Sequence, residues 1–154
     1  AYATNAQGLT VNVRDIVALL QSRLPGPDIT PQQLRDRSWW SGPDLYLVVD
    51  DYDLVAGGSS GNPIAPVVDL LAQAKDVGFH LIISRRSGGA SRAMYEPVIS
   101  RMRDVATPGL IMSGNREEGV LLGNVRPSAL PQGRGTLVSR KGTELIQTAW
   151  MPPL

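Results

Sequence analysis

Two adjacent carboxylates, Asp50 and Asp51, end the apolar run Leu45-Tyr46-Leu47-Val48-Val49, and Asp53 follows. An apolar run rich in β-formers that stops abruptly in acids is the pattern of a buried strand in a parallel sheet, delivering carboxylates to the sheet edge. A second apolar run, Phe79-His80-Leu81-Ile82-Ile83, ends in Ser84, Arg85 and Arg86; the two guanidiniums are suited to phosphate or to acids. A third, Gly109-Leu110-Ile111-Met112, ends in Ser113.

These groups can act together only if the intervening chain brings the run ends to one rim. Strand, helix, strand, helix, strand from residue 45 to 113 is the pattern of a parallel sheet, which binds ligands at the carboxyl ends of its strands. Pro63 to Gly78 reads as the first connecting helix, with Val67, Leu70, Leu71 and Ala74 inward and Gly78 as its stop. About Ser91 to Arg103 reads as the second, with Pro97 tolerated near its start or kinking it. Upstream, Thr10 or Asn12 is the expected cap of a helix reaching about Leu24. Thr30 caps a short helix to about Arg37 with Pro31 at its first position. Downstream, Asn115 to Leu122 reads as a short helix, and Gly135–Ser139 with Glu144–Ala149 as a hairpin around Arg140-Lys141-Gly142.

Composition narrows the chemistry. The 154 residues amount to one domain's worth of chain, and the net charge of +1 provides no field for nucleic acid or an anionic membrane. There is no cysteine, so disulfides and thiolate metal sites are excluded, and one histidine excludes any multi-histidine site. No apolar run has the length of a membrane span, and Ala1 to Gly8 lacks the basic start and apolar core of a signal peptide. His80 inside its apolar run reads as a satisfied core or boundary residue, and Trp39, Trp40 and Trp150 as packing residues. Arg92 and Glu96, four apart, read as a solvated helix pair.

In P-loop NTPases an acid-ended strand, the Walker B element, sets one Asp near Mg²⁺ and an adjacent acid near the attacking water. The bland alternative, a strand followed by an acidic turn, is weakened by two neighbours. Ser84 and Arg85 end the next run, where RecA-like ATPases place a γ-phosphate sensor. Gly57-Gly58-Ser59-Ser60-Gly61 follows the acids as a flexible loop. The partner motif G-x-x-x-x-G-K-[ST] is absent. Neither that glycine stretch nor Gly88-Gly89 is followed by Lys-Ser or Lys-Thr, so both read as connections rather than phosphate cradles.

Gly78-Phe79-His80-Leu81-Ile82-Ile83-Ser84-Arg85-Arg86 resembles the strand after Walker B in the FtsK/SpoIIIE family of motor ATPases, which reads Gly-x-His-Leu-x-x-x-Thr-Gln-Arg. Leu130-Pro131-Gln132-Gly133-Arg134-Gly135-Thr136-Leu137-Val138, with Glu144 to Ala149 beyond it, is similar to the family's closing Pro-Gly-Arg-Gly hairpin. Pro25-Gly26-Pro27-Asp28, Arg37-Ser38-Trp39-Trp40 and Asp50 to Val55 resemble, more narrowly, the C-terminal ATPase domain of EccC-type ATPases of type VII (ESX) secretion. The resemblance covers essentially the whole chain.

The resemblance implies an α/β, RecA-like P-loop NTPase sheet of mostly parallel strands, with flanking helices and a C-terminal β-hairpin. Residues 1–154 then form a single partial domain whose Walker A part lies upstream. It implies ATP and Mg²⁺ in the intact domain and neither in this chain alone, with Asp50 as the Mg²⁺ ligand, Asp50 and Asp51 as the catalytic acids, and Ser84 and Arg85 as the sensor. Here the family's Asp-Glu is Asp50-Asp51 and its Thr-Gln is Ser84-Arg85. An acid one methylene shorter is displaced by about 1 Å, which can cost around a hundredfold in rate, so degenerate or absent hydrolysis is expected. The implied partners are the C-terminal tail of a WXG-type secreted protein, the other EccC ATPase domains and the membrane secretion complex. Neither nucleic acid nor direct membrane insertion is implied. The setting is the cytoplasmic face of the inner membrane.

For the tail pocket, Leu19, Val120, Leu121 and Leu122 exceed a one-sided core stripe, although packing against the sheet competes for each. The alternative function is an active ATP-hydrolysing motor domain completed by an upstream Walker A segment. A DNA translocase is disfavoured by the near-neutral charge and by the EccC-like motifs.

Overall fold

Asn5, not Thr10 or Asn12, starts the first helix. Its side chain accepts from the Gly8 N–H at 2.8 Å, satisfying one of the free donors at the helix start, and α1 runs Ala6–Ser22. Val13 and Leu20 are its buried face. The computed structural model describes residues 1–58, 61–149 and 151. The expectations for Ser59, Ser60 and Trp150 lie outside the described residues. The chain divides into two compact units, Ala1–Arg85 and Arg86–Leu154.

In the first unit Thr30 forms the anticipated cap. It accepts from Gln33 N–H while the Gln33 side chain returns to the Thr30 N–H, and α2 follows over Pro31–Asp36. Strands β1 (Leu45–Val49) and β2 (Phe79–Ile83) pair in parallel, with Leu45 opposite Phe79 and Val49 opposite Ile83. The expected fully buried strands are instead one-sided. Leu47 and Val49 are buried, while Tyr46 and Val48, opposite His80 and Ile82, lie on a face that no described element of the unit covers. A short helix not expected from sequence, α3 (Tyr52–Ala56), begins directly after the acids and buries Tyr52 completely.

The segment expected as one helix from Pro63 to Gly78 is a 3₁₀ turn series over Ala65–Gln73, with Val67, Leu70 and Leu71 inward as anticipated. Gly78 ends it at φ 66°, and an added Cβ there would lie 2.6 Å from both Asp44 Oδ1 and Trp40 Cη2. Only glycine fits such a turn without strain.

In the second unit the helix expected over Ser91–Arg103 is two helices, α4 (Ala90–Ala93) and α5 (Pro97–Asp104). Pro97 lacks the N–H that a continuous helix needs and forces Glu96 into extended geometry, so it begins a helix rather than kinking one. With the helix broken, the expected Arg92–Glu96 pair does not form, and among the described residues buried Glu96 Oε2 has no hydrogen-bond partner. The helix expected over Asn115–Leu122 is one 3₁₀ turn, Arg116–Glu118, capped by Asn115 and stopped by Gly119 at φ 78°.

Strand β3 (Gly109–Ile111) pairs antiparallel with β4 (Arg134–Ser139), which forms a hairpin with β5 (Gly142–Gln147) across Arg140-Lys141. The third strand is therefore hydrogen-bonded in this antiparallel sheet and not to the parallel pair. The architecture is α/β, with a parallel pair and an antiparallel hairpin sheet.

Candidate functional site

Parallel register sets the ends of β1 and β2 side by side. Ser84 N–H donates to Val49 O at 3.0 Å and Tyr52 N–H donates to Ser84 O at 2.8 Å, so the backbone is stitched across the rim. The Ser84 hydroxyl donates to Asp50 Oδ1, which also accepts the Asp51 N–H at 3.0 Å. The two sequence-nominated groups, thirty-four residues apart, are thus brought into contact. Among the described residues Oδ2 of Asp50 receives no hydrogen bond, and the Asp50 side chain faces solvent.

Asp51 stands at the left-handed φ 48°, ψ 48° and makes no side-chain cap to α3. Aspartate tolerates this region better than most residues, which explains an acid at a sharp strand-to-helix turn. Arg85 follows Ser84 half-buried, while exposed Arg86 opens the second unit.

Among the described residues no group of three or more His, Asp or Glu side chains could hold a metal. One carboxylate oxygen beside a hydroxyl suits Mg²⁺ that brings its own phosphate ligands and keeps several waters, and it does not suit a protein-built cage. The rim fits a metal–nucleotide at Asp50 in that limited sense.

A second arrangement, unanticipated from sequence, fixes the start of β2. Arg23 is only 5% exposed. Its guanidinium donates to Val77 O and Pro43 O, each at 3.0 Å, and lies 4.2 Å over the Trp40 ring. Trp40 Nε1 donates to Asp76 O at 2.8 Å, Arg37 Nη1 to Lys75 O at 2.7 Å, and Trp39 Nε1 to Arg23 O at 2.7 Å. Three successive carbonyls before Gly78 are therefore held by side chains from residues 23, 37 and 40. A planar fork and a flat ring suit this stacked, two-point arrangement. The adjacent Trp39-Trp40 pair was the available signal; the arginine that it covers is visible only in three dimensions.

His80 is a boundary residue, as expected, but a specific one. Its Nε2 lies 2.9 Å from Asp44 Oδ2, and its ring stacks on Tyr46 at 4.4 Å and 10°.

The residues expected to line a tail pocket belong to both units. Leu19 is on α1 in the first unit, 43% exposed. In the second unit Val120 is 46% exposed, Leu121 is buried, and Leu122 is half-buried, filling the space beside Gly109 where a Cβ would lie 2.2 Å from its Cδ1.

No protein-family model matches the chain. The ESX secretion system protein EccC of Thermomonospora curvata is 57% identical over 150 residues, covering 97% of this chain and 11% of that protein. The ESX-4 secretion system protein EccC4 of Mycobacterium tuberculosis is 52% identical over 153 residues, covering 99% of this chain and 12% of that protein. Among solved structures, the cytoplasmic domain of the Thermomonospora curvata type VII secretion ATPase EccC is similar with a TM-score of 0.93 at 56% identity, over 99% of this chain and 18% of that one. Thermomonospora curvata EccC ATPases 2 and 3 in complex with a signal sequence peptide give a TM-score of 0.92 at 56% identity, over 99% of this chain and 27% of that one. The chain thus spans 11 to 12% of the length of these curated relatives.

Proposed function

Since the chain belongs, over nearly its whole length, with the ATPase-domain segments of EccC, the secretion ATPase of the ESX systems, we propose that it serves in type VII secretion by recognising the C-terminal tail of a WXG-type substrate, with hydrolysis degenerate or absent. The observation that carries this reading is the 56% identity over 99% of the chain to EccC ATPases solved with a signal sequence peptide. The apolar contacts proposed for the tail, an amphipathic segment with apolar anchors, are Leu19 in the first unit and, taken by themselves, Val120, Leu121 and Leu122 in the second. Its other partners are the remaining EccC ATPase domains and the membrane secretion complex, on the cytoplasmic face of the inner membrane. No described helix is long and apolar enough to cross a membrane. Nucleic acid is not a proposed partner, as a net charge of +1 offers no attraction for it.

The rim supports a second reading, an ATP-hydrolysing domain completed by a Walker A segment. Its specific support is the Ser84 hydroxyl on Asp50, which joins the sensor-like and Walker B-like positions. There Asp50 would hold Mg²⁺, whose charge offsets that of the nucleotide phosphates. Ser84 fixes the carboxylate rotamer, Asp51 stands as the adjacent acid, and Arg85 follows the sensor position. Loss of the longer Glu and of the Gln argues for slow turnover in this reading.

Calorimetric titration with a WXG-substrate tail peptide tests recognition. ATP turnover by the domain carrying these residues, beside its Asp50→Ala and Asp51→Ala forms, tests hydrolysis; equal rates in all three would remove both acids from catalysis.

A further inference from the structure

In the second unit a cleft of about 330 Å³ opens between the end of α5, the Leu122–Gly123 turn and the end of β4, at the small end of the range for ligand sites. Leu122 and Val138 give it an apolar floor, and Arg103 and Arg140 stand on its walls with Asp104 and Thr107. The floor depends on Gly123, at φ 54°, where a Cβ would lie 2.5 Å from Val138 Cγ1.

Both arginines are tethered but not neutralised. Arg103 Nη1 donates to Met94 O at 3.0 Å and Arg140 Nη2 donates to Val105 O at 2.8 Å. Neither pairs with a carboxylate among the described residues. Each guanidinium is therefore positioned by a carbonyl while most of its five donors stay available, and a guanidinium fork recognises carboxylate in two-point fashion. Two cations against the single Asp104 leave the walls net positive.

From this pairing of an apolar floor with held cations, we propose that the cleft binds a peptide segment carrying an aliphatic side chain next to a carboxylate. The aliphatic group covers Leu122 and Val138, and the carboxylate lies between Arg103 and Arg140. A bare inorganic anion would leave the floor wet, and an uncharged apolar peptide would leave the guanidiniums unmatched. The inference does not presuppose a secretion substrate; the cleft shares Leu122 with the proposed tail contacts, but Arg103 and Arg140 are not among those contacts, so their variants report on this site separately from tail recognition.

The test is a nitrogen–proton correlation titration of the whole chain with N-acetyl-Leu-Glu, with N-acetyl-Leu-Gln-amide and inorganic phosphate as comparison probes. Saturable shifts centred on the amides of Thr107, Gly123 and Ser139 are expected for the acidic peptide. Binding should weaken roughly tenfold in Arg140→Gln and in Arg103→Gln, the scale of a lost charge-assisted bond. It should also weaken as salt rises. The correlation spectrum itself reports whether each variant is folded, and Arg140→Gln, at the exposed hairpin turn, carries the comparison if Arg103→Gln is not. Absence of shifts, equal binding by folded variants, or equal shifts with the amide peptide or with phosphate would overturn the proposal.

Discussion

The Ser84 hydroxyl donates to Asp50 Oδ1 across the carboxyl ends of two parallel strands, where Val49 pairs with Ile83. Parallel pairing is what lets two residues so far apart in sequence meet, because a one-residue slip would turn their neighbours to the opposite face. Both bonds to the carboxylate end on Oδ1, so among the described residues Oδ2 is the oxygen of Asp50 left without a hydrogen bond.

A double-mutant cycle of Ser84→Ala and Asp50→Asn measures that contact. Both side chains face solvent, so each single change should shift the urea midpoint little, with a coupling on the order of 0.5 kcal/mol. Strict additivity would show that the bond is not maintained in solution.

Arg23 should contribute far more to stability than the acids. Replacing it with Met leaves the Val77 and Pro43 carbonyls without their donor and uncovers Trp40, at an expected loss of about 2–4 kcal/mol. Arg23→Lys should recover little, since an ammonium has no fork and stacks poorly. Far-ultraviolet dichroism in urea checks this without relying on the tryptophans. A neutral Arg23→Met change would contradict the clamp.

Gly78→Ala should destabilise by more than about 1 kcal/mol, since the left-handed φ and the close approach of Asp44 and Trp40 act in the same direction. Gly26→Ala, with nothing within 4 Å of its added Cβ, is the matched control. Thermal melts of the two variants should separate clearly, and coincident melts would refute the steric argument.

Much of this was legible in the chain. The two parallel strands and their polar ends followed from apolar runs with abrupt polar stops, and the Thr30 box and the Arg140-Lys141 hairpin followed from local turn chemistry. What was hidden depended on contacts distant in sequence. Nothing local says that Gly109–Ile111 pairs with β4 rather than with β2, because a short apolar strand has the same pattern in either sheet. Pro97 carried its own warning, yet apolar spacing on both sides suggested one continuous helix. Both helix types bring residues three apart to one side, so the spacing of Val67 and Leu70 did not separate them, which hid the character of Ala65–Gln73. At the site, Asp50 and Ser84 were visible as strand ends, whereas no local pattern marks Arg23 as buried.

The central claim is recognition of a substrate tail, and calorimetric titration of the folded chain with a WXG-substrate C-terminal peptide tests it most directly. The account predicts saturable binding that Leu122→Asp or Val120→Asp weakens and that Asp50→Ala leaves unchanged. A flat trace from protein shown to be folded by dichroism would contradict it.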